Sequence, residues 1–341
     1  VNNTNDFSYN KTFLHTFIQV IGGMCLYLYF EYQGNGKRVL EYVIKAFIIQ
    51  TLIQWGAFLI PPVRNMVNLF KSESIITMGE AYGGVRALGL AGSNFFGLAV
   101  AYGLIFILYW SEHNKLFCNN KQFKFALYLF LITGTFFAGR TGYVGLAVGI
   151  AYLLMQKKWK FKISIKEILR NVIFVGSCLI VITEFVKLYN NDLFYSLYRF
   201  TFQMFFNKFE KGTFSISSVE ILMEDSYFAI PFKTILIGDG RFSATNGAYY
   251  MTTDSGYMRV ILFMGVVGIL LLILMQFLLF IGIKGNEKKL VWAIFIYSLV
   301  TQVKGDVIMF AIITTSVMTL YAMTARNNRY NELDYIAQKI R

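Results

Sequence analysis

The sequence predicts an all-α protein, a polytopic bundle of transmembrane helices with a long outer loop, and three observations predict it. The 341 residues are 56% hydrophobic and only 15% charged, against about 25% charged in soluble domains. Apolar runs recur that approach the roughly 20 residues needed to cross a bilayer. Polar or basic stretches separate those runs, and mean hydropathy is positive. One soluble core could not cover so much apolar surface.

Nine hydrophobic segments are expected in order, at residues 12–30, 39–60, 94–110, 125–138, 143–155, 172–189, 256–283, 290–303 and 306–323. The connections then fall alternately on two sides. Residues 31–38, 111–124, 156–171, 284–289 and 324–341 hold eighteen Lys and Arg. Short loops this basic face the cytoplasm, which places the C-terminus there. The opposite set, residues 1–11, 61–93, 139–142, 190–255 and 304–305, holds eleven basic residues balanced by eleven acidic ones if Asp306 is counted. The net charge of +13 is therefore a topology signal, and nucleic acid is not an expected partner.

Redox and metal chemistry find little support. Cys25 and Cys178 fall within apolar runs and Cys118 in a basic loop, which gives neither a disulfide framework nor a zinc-ligand spacing. His15 opens the first span and His113 sits in a cytoplasmic loop, so no metal and no cofactor are expected. The chain starts at Val1 without a signal pattern, and further N-terminal spans are expected to precede it. The Asn-X-Thr matches at Asn2 and Asn10 read as chance in an Asn-rich stretch.

The whole chain reads as a single membrane domain, residues 1–341, with two outer segments too long to be simple turns. Residues 61–93 open with Pro61-Pro62, which ends the preceding helix, and close on Gly89, Gly92 and Ser93. Residues 190–255 mix aromatics and charges around Gly238-Asp239-Gly240. Both are expected to form short helices along the outer face. No repeat is evident, which argues against an inverted-repeat transporter.

Charge inside apolar sequence points to function. Gly139-Arg140-Thr141-Gly142 separates two apolar stretches of thirteen residues, each able to rise only about 20 Å against a hydrocarbon core of about 30 Å. Arg140 is therefore expected below the outer interface, on a broken or re-entrant helix pair. Two readings stand: an arginine snorkelling from a tight turn, or an anion site in which guanidinium, close-approach glycines and the amides of a helix starting at Thr141 meet a phosphate. The second is favoured. Arg86, within Gly83-Gly84-Val85-Arg86, repeats this chemistry before the next span, and Arg241 follows Gly238-Asp239-Gly240. Asp254 is placed either to cap the long span or, on the outer face, to act as general base toward a hydroxyl. Arg259 could neutralise Asp254 or bind phosphate. Lys304-Gly305-Asp306 reads as a local ion pair or turn.

Taken in order, Arg86 in its glycine-rich segment, Gly139-Arg140-Thr141-Gly142, Ile235-Leu236-Ile237-Gly238-Asp239-Gly240 and Asp254-Ser255-Gly256-Tyr257 resemble the O-antigen polymerase and ligase superfamily, specifically the Wzy-type polysaccharide polymerases. The resemblance covers most of residues 80–283. It implies a helical bundle in a bacterial cytoplasmic (inner) membrane. It implies a metal-independent glycosyltransferase that joins undecaprenyl-diphosphate-linked oligosaccharides in contact with membrane lipid, with a chain-length regulator as a further partner. Arg86, Arg140, Arg241 and Arg259 would bind the diphosphate, with Asp254 and Arg140 catalytic and Glu80, Glu224 and Asp225 as rival bases. The related ligases carry a histidine where this chain has Asp254, which favours a polymerase over an O-antigen ligase. The other readings are a flippase for lipid-linked oligosaccharide and a structural membrane subunit with no site.

Overall fold

A computed structural model describes residues 4, 6–81, 88–91, 95–111, 114, 120–155, 203–212, 222, 226–244, 248–285 and 287–340, with scattered positions between 169 and 199. Arg86 with its neighbouring glycines, His113, Cys118, Cys178, Glu224, Asp225 and most of the expected span 172–189 lie outside the described residues.

Among the described residues there is no strand, only an isolated antiparallel bridge between Ser243 and Tyr249. The helices are α1 (Ser8–Tyr32), α2 (Val39–Leu59), α3 (Pro61–Asn68), α4 (Glu73–Ala81), α5 (Phe95–Leu108), α6 (Lys121–Ala138) and α7 (Gly142–Met155). There follow α8 (Gln203–Lys211), α9 (Phe232–Ile237), α10 (Gly256–Leu279), α11 (Glu287–Gln302) and α12 (Ile312–Ile340). Among the described residues three stretches are long and apolar enough to cross a membrane: Tyr9–Tyr32, Gly36–Leu59 and Gly256–Leu279. Their outward faces carry large apolar side chains open to the surroundings, such as Phe17, Ile21 and Leu28 on α1 and Leu270, Leu274 and Phe277 on α10. That pattern suits a hydrocarbon solvent.

Contacts divide the chain into two compact units. The first comprises Val1–Leu40, Ser111–His113 and Ser217–Arg341; the second comprises Glu41–Trp110 and Asn114–Ile216.

In the second unit α5 is buried along nearly its whole length, as expected of a helix that is apolar all round. It packs on α7 backbone to backbone, because Gly142, Gly145 and Gly149 face it: a methyl group at Gly145 would collide with the Gly103 backbone. In an apolar medium such small-residue seams supply the close packing that solvent exclusion cannot. α6 packs beside this pair, with Gly134 against Tyr102 of α5 and Thr51 of α2. Tyr102 Oη donates to Gln54 at 2.7 Å and lies 2.8 Å from the Thr51 hydroxyl. α6 starts at Lys121, capped by Asn120, whose side chain accepts from Phe123 N. It is therefore longer than the thirteen apolar residues expected, rising about 27 Å, while α7 rises only about 21 Å. Pro61-Pro62 ends α2 as expected, yet both prolines also open α3 after the single residue Ile60, where a missing N–H costs nothing.

In the first unit α1 lies along α12. Ser316 Oγ donates to Gln19 at 2.6 Å, Thr16 Oγ1 donates to the Met309 carbonyl at 2.7 Å, and Gly23 sits against Thr319. α10 joins α11 through Gln276, which donates to Ser298 at 2.9 Å, and through Tyr257, whose hydroxyl donates to the Leu299 carbonyl at 2.8 Å. Arg326 donates to the carbonyls of Leu279 and Ile281, closing the C-terminal end of α10.

The glycine seam gives a test. Gly145→Ala is expected to lower stability by about 1–3 kcal/mol through overpacking. Gly22→Ala, in α1 with open space around it, should raise it by about 0.5–1 kcal/mol. Thermal unfolding in detergent compares them, and equal transitions for Gly145→Ala and the parent would show that α7 does not pack on α5 in this way.

Candidate functional site

Several charged residues of the first unit gather where α10 begins. The chain before α10 folds as a tight loop in which Ala244 N donates to Ala248 O at 2.8 Å and Tyr250 N to Phe242 O at 3.0 Å. This sets the Phe242 and Tyr249 rings side by side. Arg259, one turn into α10, stacks on both, its guanidinium carbon 3.7 Å from the Tyr249 ring centre and 4.4 Å from that of Phe242. Contacts of this kind contribute about 0.5–2 kcal/mol each.

The same guanidinium pairs with Asp306, NH1 to Oδ2 at 3.1 Å, with both side chains nearly buried. Asp306 lies in the connection between α11 and α12, and Gln302 shapes that connection: its Oε1 accepts from Val307 N at 2.7 Å and Ile308 N at 2.8 Å. Burial raises the Asp306 carboxyl, while Arg259 and then Gln302 pull it down, leaving it near a pKa of about 6. Tyr9, fully buried, packs against Phe242, Phe263 and Phe310. The Tyr9 hydroxyl and Arg259 Nε are buried with no hydrogen-bond partner among the described residues.

Two further carboxylates hold the loop. Asp6 accepts from Phe242 N at 2.7 Å and Ser243 N at 2.9 Å. Asp239 accepts from the Thr234 hydroxyl at 2.7 Å and from the Tyr250 hydroxyl at 3.4 Å.

The sequence-derived candidates now have places. Arg241 is exposed, its guanidinium 6.0 Å from the Tyr250 ring centre. Asp254 is exposed and makes no hydrogen bond or ion pair among the described residues. It does not cap α10: Ser255 does, its Oγ accepting from Met258 N, because the cap oxygen must stand directly before the first helical residue. Arg259 pairs with Asp306 rather than Asp254, so Asp306 is not confined to the local lysine pair that sequence proximity suggested. Glu80 is exposed on α4.

Arg140 belongs to the other unit. It lies half-buried in the turn between α6 and α7, within electrostatic reach of Tyr143. The amides expected to greet an anion there are already used: Gly142 N donates to Gly139 O, Tyr143 N to Arg140 O and Val144 N to Thr141 O, at 3.0–3.3 Å. The tight i to i+3 turn that opens α7 satisfies them, so any anion at Arg140 would be held by the side chain.

Sequence reasoning did not single out Tyr9, Asp6, Phe242 or Tyr249, and it treated Asp306 as local. An acidic residue between two apolar segments was the available signal, since a buried carboxylate requires a partner. Among the described residues no group of three His, Cys, Asp or Glu is arranged to hold a metal ion.

The Arg259–Asp306 pair gives a second prediction. Arg259→Ala leaves a buried carboxylate without its counter-charge and should cost about 3–5 kcal/mol, part of which a second change, Asp306→Asn, restores. The pH dependence has a defined sign. The folded protein holds the Asp306 proton more tightly than the unfolded chain, whose carboxyl titrates near 3.8. This group's contribution is therefore most favourable below about 4 and is lost as pH rises through about 6. Melting curves from pH 4 to 8 should show that slope, and Asp306→Asn should remove it.

Comparison of the chain with family models, with curated proteins and with solved structures finds no match.

Proposed function

We propose that the protein is a membrane glycosyltransferase of the polysaccharide-polymerase type, acting on undecaprenyl-diphosphate-linked repeat units at the outer face of a bacterial cytoplasmic membrane. The helices form a polytopic bundle whose C-terminus lies in the cytoplasm. The observation that carries the reading is an exposed carboxylate with no partner among the described residues, Asp254, at the mouth of the apolar helix α10; the second unit separately holds Arg140, half-buried in a glycine-flanked turn between apolar helices. The order of motifs along the chain supports it.

In the proposed reaction a hydroxyl of the incoming lipid-linked unit attacks the anomeric carbon of the growing glycan. The bond from that carbon to the diphosphate oxygen breaks, the hydroxyl proton passes to Asp254, and undecaprenyl diphosphate leaves. An arginine side chain balances the charge that develops on the leaving oxygen, the candidates being Arg241 in the first unit or Arg86 and Arg140 in the second. Electrostatic stabilisation of this kind removes the need for a metal. Arg259, turned toward Asp306, serves the site by holding the aromatic loop in place.

Polymer length in cells producing Arg140→Ala or Asp254→Asn tests the reading, with flipping of the lipid-linked unit assayed separately. Loss of long polymer with flipping intact is expected from both, of the order of 100-fold or more if a charge-stabilising group is lost. Full-length polymer from both variants would refute the catalytic assignment. Lost flipping with intact polymerisation would instead make the protein a transporter of the same lipid.

A further inference from the structure

The chain before α10 does not stay at the helix mouth. Ser226 is tied to the mouth, where its carbonyl accepts from the Thr253 hydroxyl at 2.8 Å. Ten residues later the Leu236 carbonyl presses on Gly265, well inside α10. The chain then returns: Asp239 N donates to Leu262 O at 2.6 Å, Gly240 N to Phe263 O at 3.2 Å, and Phe242 reaches Arg259. Residues 226–242 thus descend beside α10 and climb back.

Helical rise converts this register into depth. Leu262 to Gly265 lie about 9–14 Å along α10 from Gly256. Because α10 is broken at Gly265, depth is counted along its first part alone, from a mouth at Gly256 set at the membrane interface. With α10 crossing the membrane, the contact level then lies inside the hydrocarbon, up to about 9–14 Å below the mouth of α10.

Two independent features fit that depth. The outward face of α9 is apolar and open, with Phe232 72%, Leu236 47% and Ile237 43% exposed, and the neighbouring α10 exposes Val267, Leu270 and Leu271. Several of the turn's polar groups are also paired internally. Gly238 N donates to Thr234 O, Ile235 N to Pro231 O, and the Asp239 carboxylate takes the Thr234 hydroxyl, as non-helical backbone in hydrocarbon requires. Lys233, the charged side chain of α9, has a four-carbon stem on which its ammonium can snorkel outward.

We infer that residues 231–240 form a re-entrant segment whose apolar face, Phe232, Leu236 and Ile237, is covered by bilayer acyl chains. Continuity with the uncovered face of α10 identifies the occupant. The inference rests on α10 crossing the membrane and is independent of the glycosyl-transfer reading, since its test has no catalytic readout.

The test is spin-label accessibility in the full chain, with Cys25, Cys118 and Cys178 replaced by serine, in phosphatidylcholine–phosphatidylglycerol vesicles. Labels at Leu236→Cys and Ile237→Cys are compared with Leu271→Cys as lipid reference and Ala248→Cys as water reference. Oxygen access with loss of access to a water-soluble nickel chelate, as at Leu271, is the expected result. Nickel access equal to that at Ala248 would overturn the inference. Exclusion of both reagents would also overturn it, by showing a protein cover.

Discussion

The break in α10 at Gly265 organises the first unit. Gly265 adopts φ 67° and ψ −167°, a conformation open to glycine and strained for other residues. In an unbroken helix the carbonyls of Leu262 and Phe263 would serve Val266 and Val267, the first residues beyond the break. The amides of Asp239 and Gly240 donate to those carbonyls instead. The fit is tight on both sides: Gly238, also at positive φ, abuts the Phe263 backbone, and Gly265 abuts Leu236. A helix broken in an apolar medium exposes polar groups worth several kcal/mol each. The break and the turn that completes it are therefore interdependent, and neither is stable alone at that depth.

The placement of the charged cluster follows. Because the turn fixes residues 238–240 against α10, the next residues emerge beside the first turn of the same helix, and Phe242 meets Arg259 there. Asp6 then holds the Phe242 and Ser243 amides, and Thr4 donates to the Gly240 carbonyl at 2.5 Å. Arg259 ties the loop to the α11–α12 connection through Asp306. One guanidinium thereby joins three parts of the chain, by stacking on one side and by an ion pair on the other. Arginine suits both because it is planar and weakly hydrated; lysine would lose the stacking.

Much of the helical plan was legible because it depends on local composition. The runs 12–30, 39–60 and 256–283 correspond to α1, α2 and α10 within a few residues, since apolar length alone decides them. What was not legible depends on partners distant in sequence. Gly265 looks like any small residue within a long apolar run until Leu236 is beside it. Asp306 has a lysine two residues before it, yet its partner lies 47 positions away. Asp254 and Ser255 are both good capping residues, and only the register of α10 separates them. The amides at the start of α7 read as anion donors from their position, but the tight turn at Gly139–Thr141 consumes them.

The contrast among the arginines follows from the same physics. Arg259 stands where α10 begins to enter apolar surroundings and an acidic side chain is within reach, so burial with a partner costs less than burial alone. Arg241 lies beyond the turn, where solvent screens its charge and no pairing is required. Arg140 is intermediate, half-buried at a turn whose backbone donors are already satisfied. An incoming anion could gain from Arg241, whose exposed charge is not matched by a buried carboxylate as that of Arg259 is. It would have to break the Asp306 pair to engage Arg259, exposing a buried carboxylate in the process. That asymmetry separates an arginine whose charge faces solvent from one that holds the fold, although short sequence motifs place both beside glycine or at the start of an apolar run.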